Sequence, residues 1–496
     1  MLLSKLIEPI IGKKNFGLSD PDICSIAYDS RKVVSGAVFV CIRGENFDGH
    51  RFIADAVNNG ASAIIADDEC TTDALSLKIP YVLVPDSRTS LPVIANRLFD
   101  YPSRKLKLTG ITGTKGKTTT SFLLNAILRQ SGLKTGVIGT MGAWINDAVV
   151  PSNRTTPESV DLQQLFCDML SEGVSAVSME VSSHALVKHR TYGCEFDTAV
   201  FTNLTHEHLD FHNSLDEYFL AKLALFKQYP LMSSKPFTSV VNIDDLRGAA
   251  VCENTAGGAV TYGINHFADI KAANVKASAA GVAFDVSSPH GDFHINLNLG
   301  GVFNVYNALA AIGAAFSYGI GIEDIIDGLQ SVNAVDGRFE AVKCGQDFDV
   351  IVDYAHTPDS LINVLRAAKE IACGRLIVVF GCGGNRDKAK RPIMGNIASE
   401  MADICIVTSD NPRKEDPDTI IAEIVCGIAK SYCHKVETIP DRMGAIRHAV
   451  EIACPGDMLV IAGKGHETYQ EFADHTIHFD DREVVRAILC PANEGI

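Results

Sequence analysis

The stretch that most constrains the fold is LKLTGITGTKGKTTTSFLLNAILRQ, which reads as an apolar strand, a glycine-rich loop and a helix with an apolar face. Gly113 and Gly116 permit the loop backbone to curl with its amides pointing inward, Lys117 can reach terminal phosphates, and Thr118 can ligate magnesium. The spacing differs from a Walker A loop, because Ile111 stands five positions before Gly116 and the nearest upstream glycine comes one residue earlier. The sequence therefore predicts a phosphate cradle, but not that of a plain P-loop NTPase.

Along the rest of the chain, short apolar runs alternate with helix-length stretches, which predicts an α/β fold with largely parallel sheets. A chain of 496 residues suggests about three domains. The first, residues 1–104, contains the strand candidates VFVCI, SAIIA and YVLV; the second, 105–335, begins with the phosphate loop. The third, 336–496, has DVIVD, LIVVF, ICIVT and DMLVI separated as in a doubly wound sheet.

Charge and cysteine usage exclude several classes of function. A formal net charge of -16 argues against nonspecific binding to nucleic acid or anionic lipid. The 14 cysteines include no CxxC pair, so reduced thiols in a cytosol are expected rather than a disulfide framework, a zinc site or a redox sensor. The apolar N-terminus is broken by Lys5, Glu8 and Pro9 before a signal peptide or membrane span could form. We expect a cytoplasmic protein.

Three polar positions of the second segment each have two interpretations. Glu180 ends the apolar strand VSAVSME, where a carboxylate must be paired or must hold a cation. His206, His208 and His212 could form a metal cluster or could be surface histidines. Lys222 lies among apolar neighbours on an amphipathic helix, where a lysine usually extends its ammonium to the solvent. None of the three positions alone distinguishes a functional site from an ordinary structural role.

The stretch ICIVTSDNPRKEDP poses a similar choice in the third segment. Asp410, Asn411 and Pro412 are common turn residues, and the charged residues from Arg413 onward could form a solvated face. In doubly wound sheets, however, ligands bind at the carboxyl ends of strands, where this cluster is expected to lie. A binding role is therefore a second interpretation beside the turn.

Taken in order, these stretches resemble the Mur ligase family, the ATP-dependent enzymes that form the amide bonds of the cell-wall precursor's peptide stem. The resemblance is carried by GITGTKGKTTT, MEVSSHAL, the TNL and HLD elements, YFLAKLALF, GVFNVYNALAA, DGRFE and VDYAHTPDSL. It implies a three-domain architecture in which segment 1–104 binds UDP-MurNAc, a central P-loop-like ATPase segment 105–335 binds ATP, and a Rossmann-like segment 336–496 binds the incoming amino acid.

The implied reaction is phosphorylation of the free carboxylate of UDP-MurNAc-L-Ala-D-Glu by ATP and attack of an amine on the resulting acyl phosphate. Lys117 would neutralise the γ-phosphate, and Lys222 matches a lysine that carries a carbamate in the family. The family's catalytic positions correspond here to Lys117, Glu180, His208 and Lys222, and its magnesium ligands to Thr118, Glu180, His208 and the carbamate of Lys222. ATP and Mg²⁺ are thus the expected cofactors.

The resemblance also implies two sets of binding residues. For ATP they are Gly113, Thr114, Gly116, Lys117, Thr118, Thr119, Asn304, Arg338, Asp353 and His356. For the UDP-MurNAc dipeptide they are Ser30, Thr155, Thr156, Ser182 and Arg190, the last suiting a carboxylate.

The DSRKVVSGAVFVCIRGENFDGHRFI, NRTTPES, AGKGHETYQ and FDDREVV stretches resemble the branch of the family that adds the third residue, and DNPR resembles its diaminopimelate-adding members. Arg413, Asn411 and Arg386 would bind the distal carboxylate that distinguishes meso-diaminopimelate from lysine, and Gly463 and Glu467 match partners of the distal ammonium. The full implied set is Arg386, Asp410, Asn411, Pro412, Arg413, Gly463 and Glu467.

Three alternatives stay open. The same reaction could use L-lysine; a folate polyglutamate ligase would share the phosphate loop but should lack the DSR block and DNPR; and an ATP-binding switch or scaffold would not need a separate arginine cluster. The sequence also departs from the expected pattern, with Lys188 in place of a glutamine and His206 and Glu207 in place of an Arg-Asp pair. We expect a monomer that acts on small molecules, without nucleic-acid or membrane partners.

Overall fold

A computed structural model describes residues 1–17, 19–44, 47–68, 79–152, 154–205, 207 and 211–490. The chain forms two units: unit 1 comprises Met1–Ala268 with Ala310–Gly321, and unit 2 comprises Asp269–Leu309 with Ile322–Ile496. The domain boundaries expected near residues 104 and 335 stay predictions.

Unit 1 contains two sheets. In the first, four parallel strands and one antiparallel edge strand follow the order Lys14–Phe16, Tyr81–Leu83, Ala61–Ala66, Ala37–Val40 and Ser25–Ala27. In the second, the order is Gly258–Gly263, Thr238–Asn242, Thr198–Phe201, Lys107–Thr112, Ala176–Glu180, Thr135–Gly139, Gly142–Ile145 and Ala148–Val150. Its first six strands run parallel and the last two add antiparallel. The strand candidates of both segments are therefore confirmed.

The helices of unit 1 cover these sheets. Their apolar faces contribute Leu91, Leu162, Phe166, Leu223 and Phe226 to cores built on the buried strand residues. The helices are Leu3–Leu6, Ile53–Asn58, Ser87–Leu98, Lys117–Gln130, Ser159–Ser171, Ser183–Val187, Leu215–Lys227 and Gly248–Asn254, with 3-10 turns at Ser30–Lys32, Gly49–Phe52, Pro102–Lys105 and Pro230–Met232. Helix Phe303–Ser317 belongs to unit 2 up to Leu309 and to unit 1 from Ala310.

Unit 2 is built on a six-stranded sheet in the order Glu340–Ala341, Asp349–Asp353, Met458–Ala462, Leu376–Phe380, Ile404–Val407 and Val436–Thr438. All but the first strand run parallel. Alternate strand residues enter separate cores on opposite faces, Val378 on one and Val379 on the other, which is why the strands read as continuous apolar runs. This is the doubly wound sheet that the sequence predicts.

The remaining elements of unit 2 complete this layered arrangement. Strands Ile270–Ala277, Val282–Ser287 and Phe293–Leu297 form an antiparallel set, and Tyr469–Glu471 pairs with Thr476–His478 in a hairpin. The helices are Ile322–Gln330, Pro358–Ile371, Lys390–Met401, Pro417–Val425, Arg442–Ile452 and Asp481–Leu489, with a 3-10 turn at Cys433–Lys435. Among the helices of the described residues, none is long and apolar enough to cross a membrane.

Candidate active site

The phosphate loop joins strand Lys107–Thr112 to helix Lys117–Gln130, as the sequence predicts. Gly116 precedes the helix at φ +85° and Gly113 has φ +148°, both in the region that favours glycine. A Cβ at Gly113 would lie 1.9 Å from Thr202 Oγ1, so this position also lacks space for a side chain. The first amides of the following helix and its dipole make this loop suited to an anion.

Lys117 extends back over the loop. Its Nζ donates to the carbonyl oxygens of Gly113 and Thr114, at 2.9 Å and 2.8 Å. Thr114 and Thr119 are buried beside it. The ammonium is thus held at the loop, where it can neutralise a phosphate oxygen.

Glu180 is the last residue of its strand and is 1% exposed. Its carboxylate accepts hydrogen bonds from Thr118 Oγ1 at 2.8 Å and from the Thr140 amide at 2.9 Å. A Cβ at Gly139 would lie 2.3 Å from Glu180 Oε1, so a glycine there leaves room for the carboxylate. Oxygen donors of this kind fit Mg²⁺, which keeps several waters and substrate phosphates in its shell.

The expected metal ligand His208 lies outside the described residues, as does His206. Within the part of the chain that is described, no group of three His, Cys, Asp or Glu side chains could hold a metal ion. Of the expected set, Thr118, Glu180 and Lys222 lie in the described residues, and Thr118 Oγ1 donates to Glu180. His212 is buried and contacts Ser183 Oγ through Nε2 at 3.0 Å, so it is not a surface histidine.

Lys222 is 1% exposed, so the interpretation that it reaches the solvent is wrong. Its Nζ donates to the Gly113 carbonyl at 2.9 Å and lies 4.4 Å from the centroid of the Tyr218 ring. Burial, with the charge of Lys117 as a second cause, lowers the pKa of Lys222 well below its ordinary value. A neutral amine is thereby favoured beside the phosphate loop.

The residues expected for the dipeptide substrate are grouped around Glu180, apart from Ser30. Thr156 Oγ1 donates to the Glu180 carbonyl at 2.8 Å and lies 3.3 Å from Ser182 Oγ. Thr155 Oγ1 lies 3.1 Å from Thr140 Oγ1. Ser30 is the first residue of a 3-10 turn beside the N-terminal sheet, where its carbonyl accepts from Asn59.

Arg190 belongs to a charged cluster that sequence reasoning missed. Its Nε donates to Glu158 Oε1 at 2.9 Å, and Arg88 Nη1 donates to Glu158 Oε2 at 3.0 Å. Arg154 pairs with the same buried carboxylate. Three guanidinium groups around one carboxylate leave net positive charge, which fits an acidic substrate group. Glu158 could have been suspected from the NRTTPES stretch.

Three of the nucleotide residues expected in unit 2 lie in the neighbouring DGRFE and VDYAHTP segments. Arg338 lies 5.2 Å from the centroid of the Tyr354 ring, and Asp353 Oδ2 accepts from the Phe339 amide at 2.8 Å. His356 Nδ1 lies 2.8 Å from the Tyr354 carbonyl. Arg338 and Asp353 are thus placed by contacts between the DGRFE and VDYAHTP segments, and His356 contacts the carbonyl of Tyr354 in its own segment.

Asn304 lies elsewhere in unit 2, in the first turn of its helix. It is buried, and its Nδ2 donates to the Gly300 carbonyl at 2.7 Å while its Oδ1 accepts from Asn307 Nδ2 at 2.9 Å. These bonds fix the side chain against Gly300 and Asn307, and neither of them caps a backbone N–H of the helix.

The DNPR loop follows strand Ile404–Val407 and faces the GCGGNRD loop of the neighbouring strand. Gly384 donates its amide to the Asn411 carbonyl at 2.9 Å, and a Cβ at Gly384 would lie 1.9 Å from the Pro412 carbonyl oxygen. The cluster is a turn in which Asp410 and Asn411 are buried, whereas Lys414 and Asp416 are exposed, as expected for a solvated face.

Arg413 and Arg386 lie on either side of Gly383. A Cβ built at Gly383 would be 3.0 Å from Arg413 Nη1 and 3.9 Å from Arg386 Cγ. Arg413 has φ +52° and donates from Nε to Glu471 Oε2 at 2.9 Å and from Nη1 to the Gly384 carbonyl at 3.1 Å. Arg386 is exposed. The Arg413 guanidinium and the Cγ atom of Arg386 thus both lie beside Gly383, after two neighbouring parallel strands.

Three segments of the chain match descriptions of one family: "Mur ligase family, catalytic domain" over residues 22–97, "Mur ligase middle domain" over 111–315 and "Mur ligase, glutamate ligase domain" over 337–465. The chain is 46% identical over 492 residues to the UDP-N-acetylmuramoyl-L-alanyl-D-glutamate--2,6-diaminopimelate ligase of Caldanaerobacter subterraneus subsp. tengcongensis, covering 99% of this chain and 100% of that protein. The chain belongs to the Mur ligase family. The resemblance read from the sequence is confirmed.

Two further relatives agree with this membership. The ligase of the same name from Listeria innocua serovar 6a is 47% identical over 493 residues, covering 99% of each chain. A solved structure of a ligase of that name is 33% identical, with a TM-score of 0.72 and complete coverage of both chains. The three-domain Mur ligase fold class expected from the sequence is confirmed.

Within this Mur ligase, sequence reasoning missed the residues that brace the phosphate loop. Asn203 Oδ1 accepts from the Lys115 amide at 2.8 Å, and Asn203 Nδ2 and Thr202 Oγ1 donate to the Lys115 carbonyl at 3.1 Å and 2.7 Å. Both residues follow strand Thr198–Phe201, which pairs in parallel with Lys107–Thr112. The available signal was the TNL element at the end of a neighbouring strand.

The departures from the family pattern also have places in unit 1. Glu207 forms an ion pair with Lys115 at 2.8 Å, so this substitution contacts the phosphate loop itself. Lys188 Nζ lies 5.2 Å from the centroid of the Phe211 ring.

Proposed function

We propose that this Mur ligase uses ATP to join meso-diaminopimelate to the D-Glu carboxylate of UDP-MurNAc-L-Ala-D-Glu, a step in the synthesis of the peptidoglycan precursor. The observation that carries the amino-acid assignment is the pair Arg413 and Arg386 beside Gly383, in a chain alignable over 99% of its length with a diaminopimelate ligase. Two cations at one strand edge suit the distal carboxylate, which lysine lacks.

The proposed reaction has two steps. A carboxylate oxygen of the substrate D-Glu attacks the γ-phosphorus of ATP, which releases ADP and forms an acyl phosphate. The uncharged amine of the diamino acid then attacks the acyl carbon, the tetrahedral intermediate expels phosphate, and the amide remains after loss of a proton. Lys117 and the loop amides stabilise the charge on the transferred phosphoryl group.

The magnesium assignment rests on the donor set around the phosphate loop. Bound Mg²⁺ would neutralise charge on the phosphate oxygens. Thr118 and Glu180 would hold it, and the family resemblance adds His208 and the carbamate of Lys222. These four groups are the proposed Mg²⁺ ligands.

The carbamate of Lys222 has a physical basis in the burial of that side chain. A carbamate forms when an uncharged amine nitrogen attacks the carbon of CO₂ and then loses a proton. The lowered pKa of Lys222 supplies the uncharged amine, and the product carries negative charge beside Lys117. Burial therefore favours the reactant, and the neighbouring ammonium stabilises the product.

The two substrates would be held by the residue sets expected from the sequence. Thr155, Thr156, Ser182 and Arg190, with Ser30, are proposed for the UDP-MurNAc dipeptide. Arg190 is supported by the excess positive charge around Glu158. For ATP we propose the phosphate loop together with Asn304, Arg338, Asp353 and His356. We also propose that the chain works as a monomer in the cytoplasm, where ATP is available.

The alternatives are weaker on specific grounds. The L-lysine reaction is not favoured, because the similar full-length relatives carry the name of a diaminopimelate ligase. A folate polyglutamate ligase would not need the DSR block or the DNPR loop. An ATP-dependent switch or scaffold would not need the arginine pair of unit 2.

The test is a ligation assay with purified protein, ATP, magnesium and UDP-MurNAc-L-Ala-D-Glu, offering meso-diaminopimelate or L-lysine in parallel. The proposal expects phosphate release and a tripeptide product, identified by mass, with diaminopimelate only. Efficient use of lysine would overturn the amino-acid assignment but keep the ligase. Absence of product with either amine would overturn the ligase itself.

A further inference from the structure

Lys464 is a fully buried lysine in the turn that follows strand Met458–Ala462, with 0% exposure. Its Nζ donates to Asn411 Oδ1 at 3.1 Å and lies 3.4 Å from Glu467 Oε2. An ammonium is rarely buried without a carboxylate partner, because its desolvation is costly. The contact with Glu467 is therefore the natural reason for placing the charge there.

The position of Lys464 fixes the amide of Asn411. Asn411 Oδ1 accepts from Lys464 Nζ and also from the Glu471 amide at 3.0 Å, so this side of the amide must be the oxygen. Its Nδ2 consequently faces Glu467 and donates to Oε2 at 2.8 Å. Asn411 thus orients Glu467 rather than offering an acceptor to a ligand.

Both donors contact the same oxygen of Glu467. Within the described part of the chain, Oε1 of Glu467 has no hydrogen-bond partner. Burial raises the pKa of Glu467, Lys464 opposes that rise, and nearby Asp410 adds to it. Glu467 also interacts electrostatically with Tyr354, Tyr469 and Arg442.

We propose that Lys464 is a positioning residue that keeps Glu467 ionised and turned so that Oε1 accepts the distal ammonium of the incoming diamino acid. This inference rests on the proposed function and adds a residue that does not itself touch the substrate. In this proposal the distal carbon of the diamino acid is held through both of its charged groups. Arg413 and Arg386 bind the distal carboxylate, and Glu467 binds the distal ammonium.

The experiment compares Lys464→Met with wild type in the ligation assay across pH. Losing the charge-assisted contacts is expected to raise KM for diaminopimelate about 10-fold to 100-fold, with kcat and KM for ATP changed by less than about 3-fold. Removing Lys464 lets the pKa of Glu467 rise further, so the acidic limb of kcat/KM for diaminopimelate should move to higher pH.

Two variants serve as controls. Lys435→Met removes a lysine of the same unit whose Nζ donates to the Ala402 carbonyl, and it should behave as wild type. Lys464→Gln can still donate to Asn411 but carries no charge, so it should also shift the acidic limb and is available should the methionine variant not fold. In a Glu467→Gln background, the Lys464 substitution should have little further effect on KM.

If Lys464 is merely structural, its substitution should lower thermal stability and raise KM for all three substrates alike, and the acidic limb of kcat/KM should not move. That result would overturn the inference. Wild-type kinetics in both Lys464 variants would overturn it as well. The proposed function fails separately, since wild-type protein would then give no tripeptide product at any pH.

Discussion

The phosphate loop of unit 1 and the DNPR loop of unit 2 both follow parallel strands, but they are braced by different forces. In the first, the uncharged side chains of Thr202 and Asn203 bond the Lys115 backbone, and the Lys115 ammonium adds one ion pair with Glu207 at 2.8 Å. Ion pairs hold the second: Arg413 with Glu471 at 2.9 Å, and the buried Arg391 with Glu415 at 3.0 Å.

The difference corresponds to what each loop is proposed to bind. Phosphate is recognised by fixed amide donors, and the Lys117 ammonium is held over the loop by the carbonyls of Gly113 and Thr114. Diaminopimelate differs from lysine by one distal carboxylate, so the DNPR loop needs cations to discriminate between them. Each of these cations needs a protein carboxylate that holds it in position. Changes in unit 1 should therefore affect every amino acid, and changes in unit 2 should affect the choice among them.

The largest effect is expected from Lys117→Met. Without its ammonium the transferred phosphoryl group loses a main source of charge stabilisation, so kcat should fall about 1,000-fold or more with any amino acid offered. Phosphate release measures this. Lys134→Met, which removes an exposed lysine that donates to the Glu172 carbonyl, is the control. A kcat that stays within about 10-fold of wild type would contradict the role proposed for the Lys117 ammonium.

A smaller effect is expected from Asn203→Ala, which removes two hydrogen bonds to Lys115 but no charge. KM for ATP should rise about 30-fold, because the two lost hydrogen bonds cost about 1 kcal/mol each, and KM for diaminopimelate should not change. Steady-state kinetics with each substrate varied in turn test this. Asn254→Ala, whose amide donates to Ala250 in its own helix, should match wild type.

The smallest effect concerns the stability of unit 2. Hydrogen bonding to Arg391 is the main cause that lowers the pKa of Glu415 to about 2. A carboxylate with a lowered pKa stabilises the fold above its ordinary pKa, and that contribution is lost as pH falls from about 4.5 toward 2. Glu415→Gln should therefore lower Tm by about 2 to 4 °C at pH 7, with the difference shrinking across that window.

Thermal melts of the wild type and of Glu415→Gln at several pH values check this expectation. Glu370→Gln, at an exposed position of the same unit, is the matched control. A difference in Tm that stays constant down to pH 2 would show that the Glu415 ion pair does not brace the loop.

The sequence predicted the sheets, because apolar runs fix the strands. The expected grouping of Thr118 with Glu180 came from the family resemblance. The sequence did not predict Glu158, Lys464 or Glu471, whose partners are distant along the chain and become neighbours only on folding. The apolar pattern of its helix also did not predict that Lys222 is buried, because an amphipathic pattern does not show how deeply a lysine side chain lies.

In the proposed mechanism, the phosphate loop serves phosphoryl transfer while the DNPR loop selects the amino acid. The most direct test of this division is a competition assay with meso-diaminopimelate and L-lysine in one reaction, comparing wild type with Arg413→Ala. We expect wild type to incorporate diaminopimelate almost alone, and the variant to lose about 100-fold or more of that preference while still phosphorylating the dipeptide substrate. An unchanged preference in Arg413→Ala would contradict the assignment of amino-acid choice to the DNPR loop.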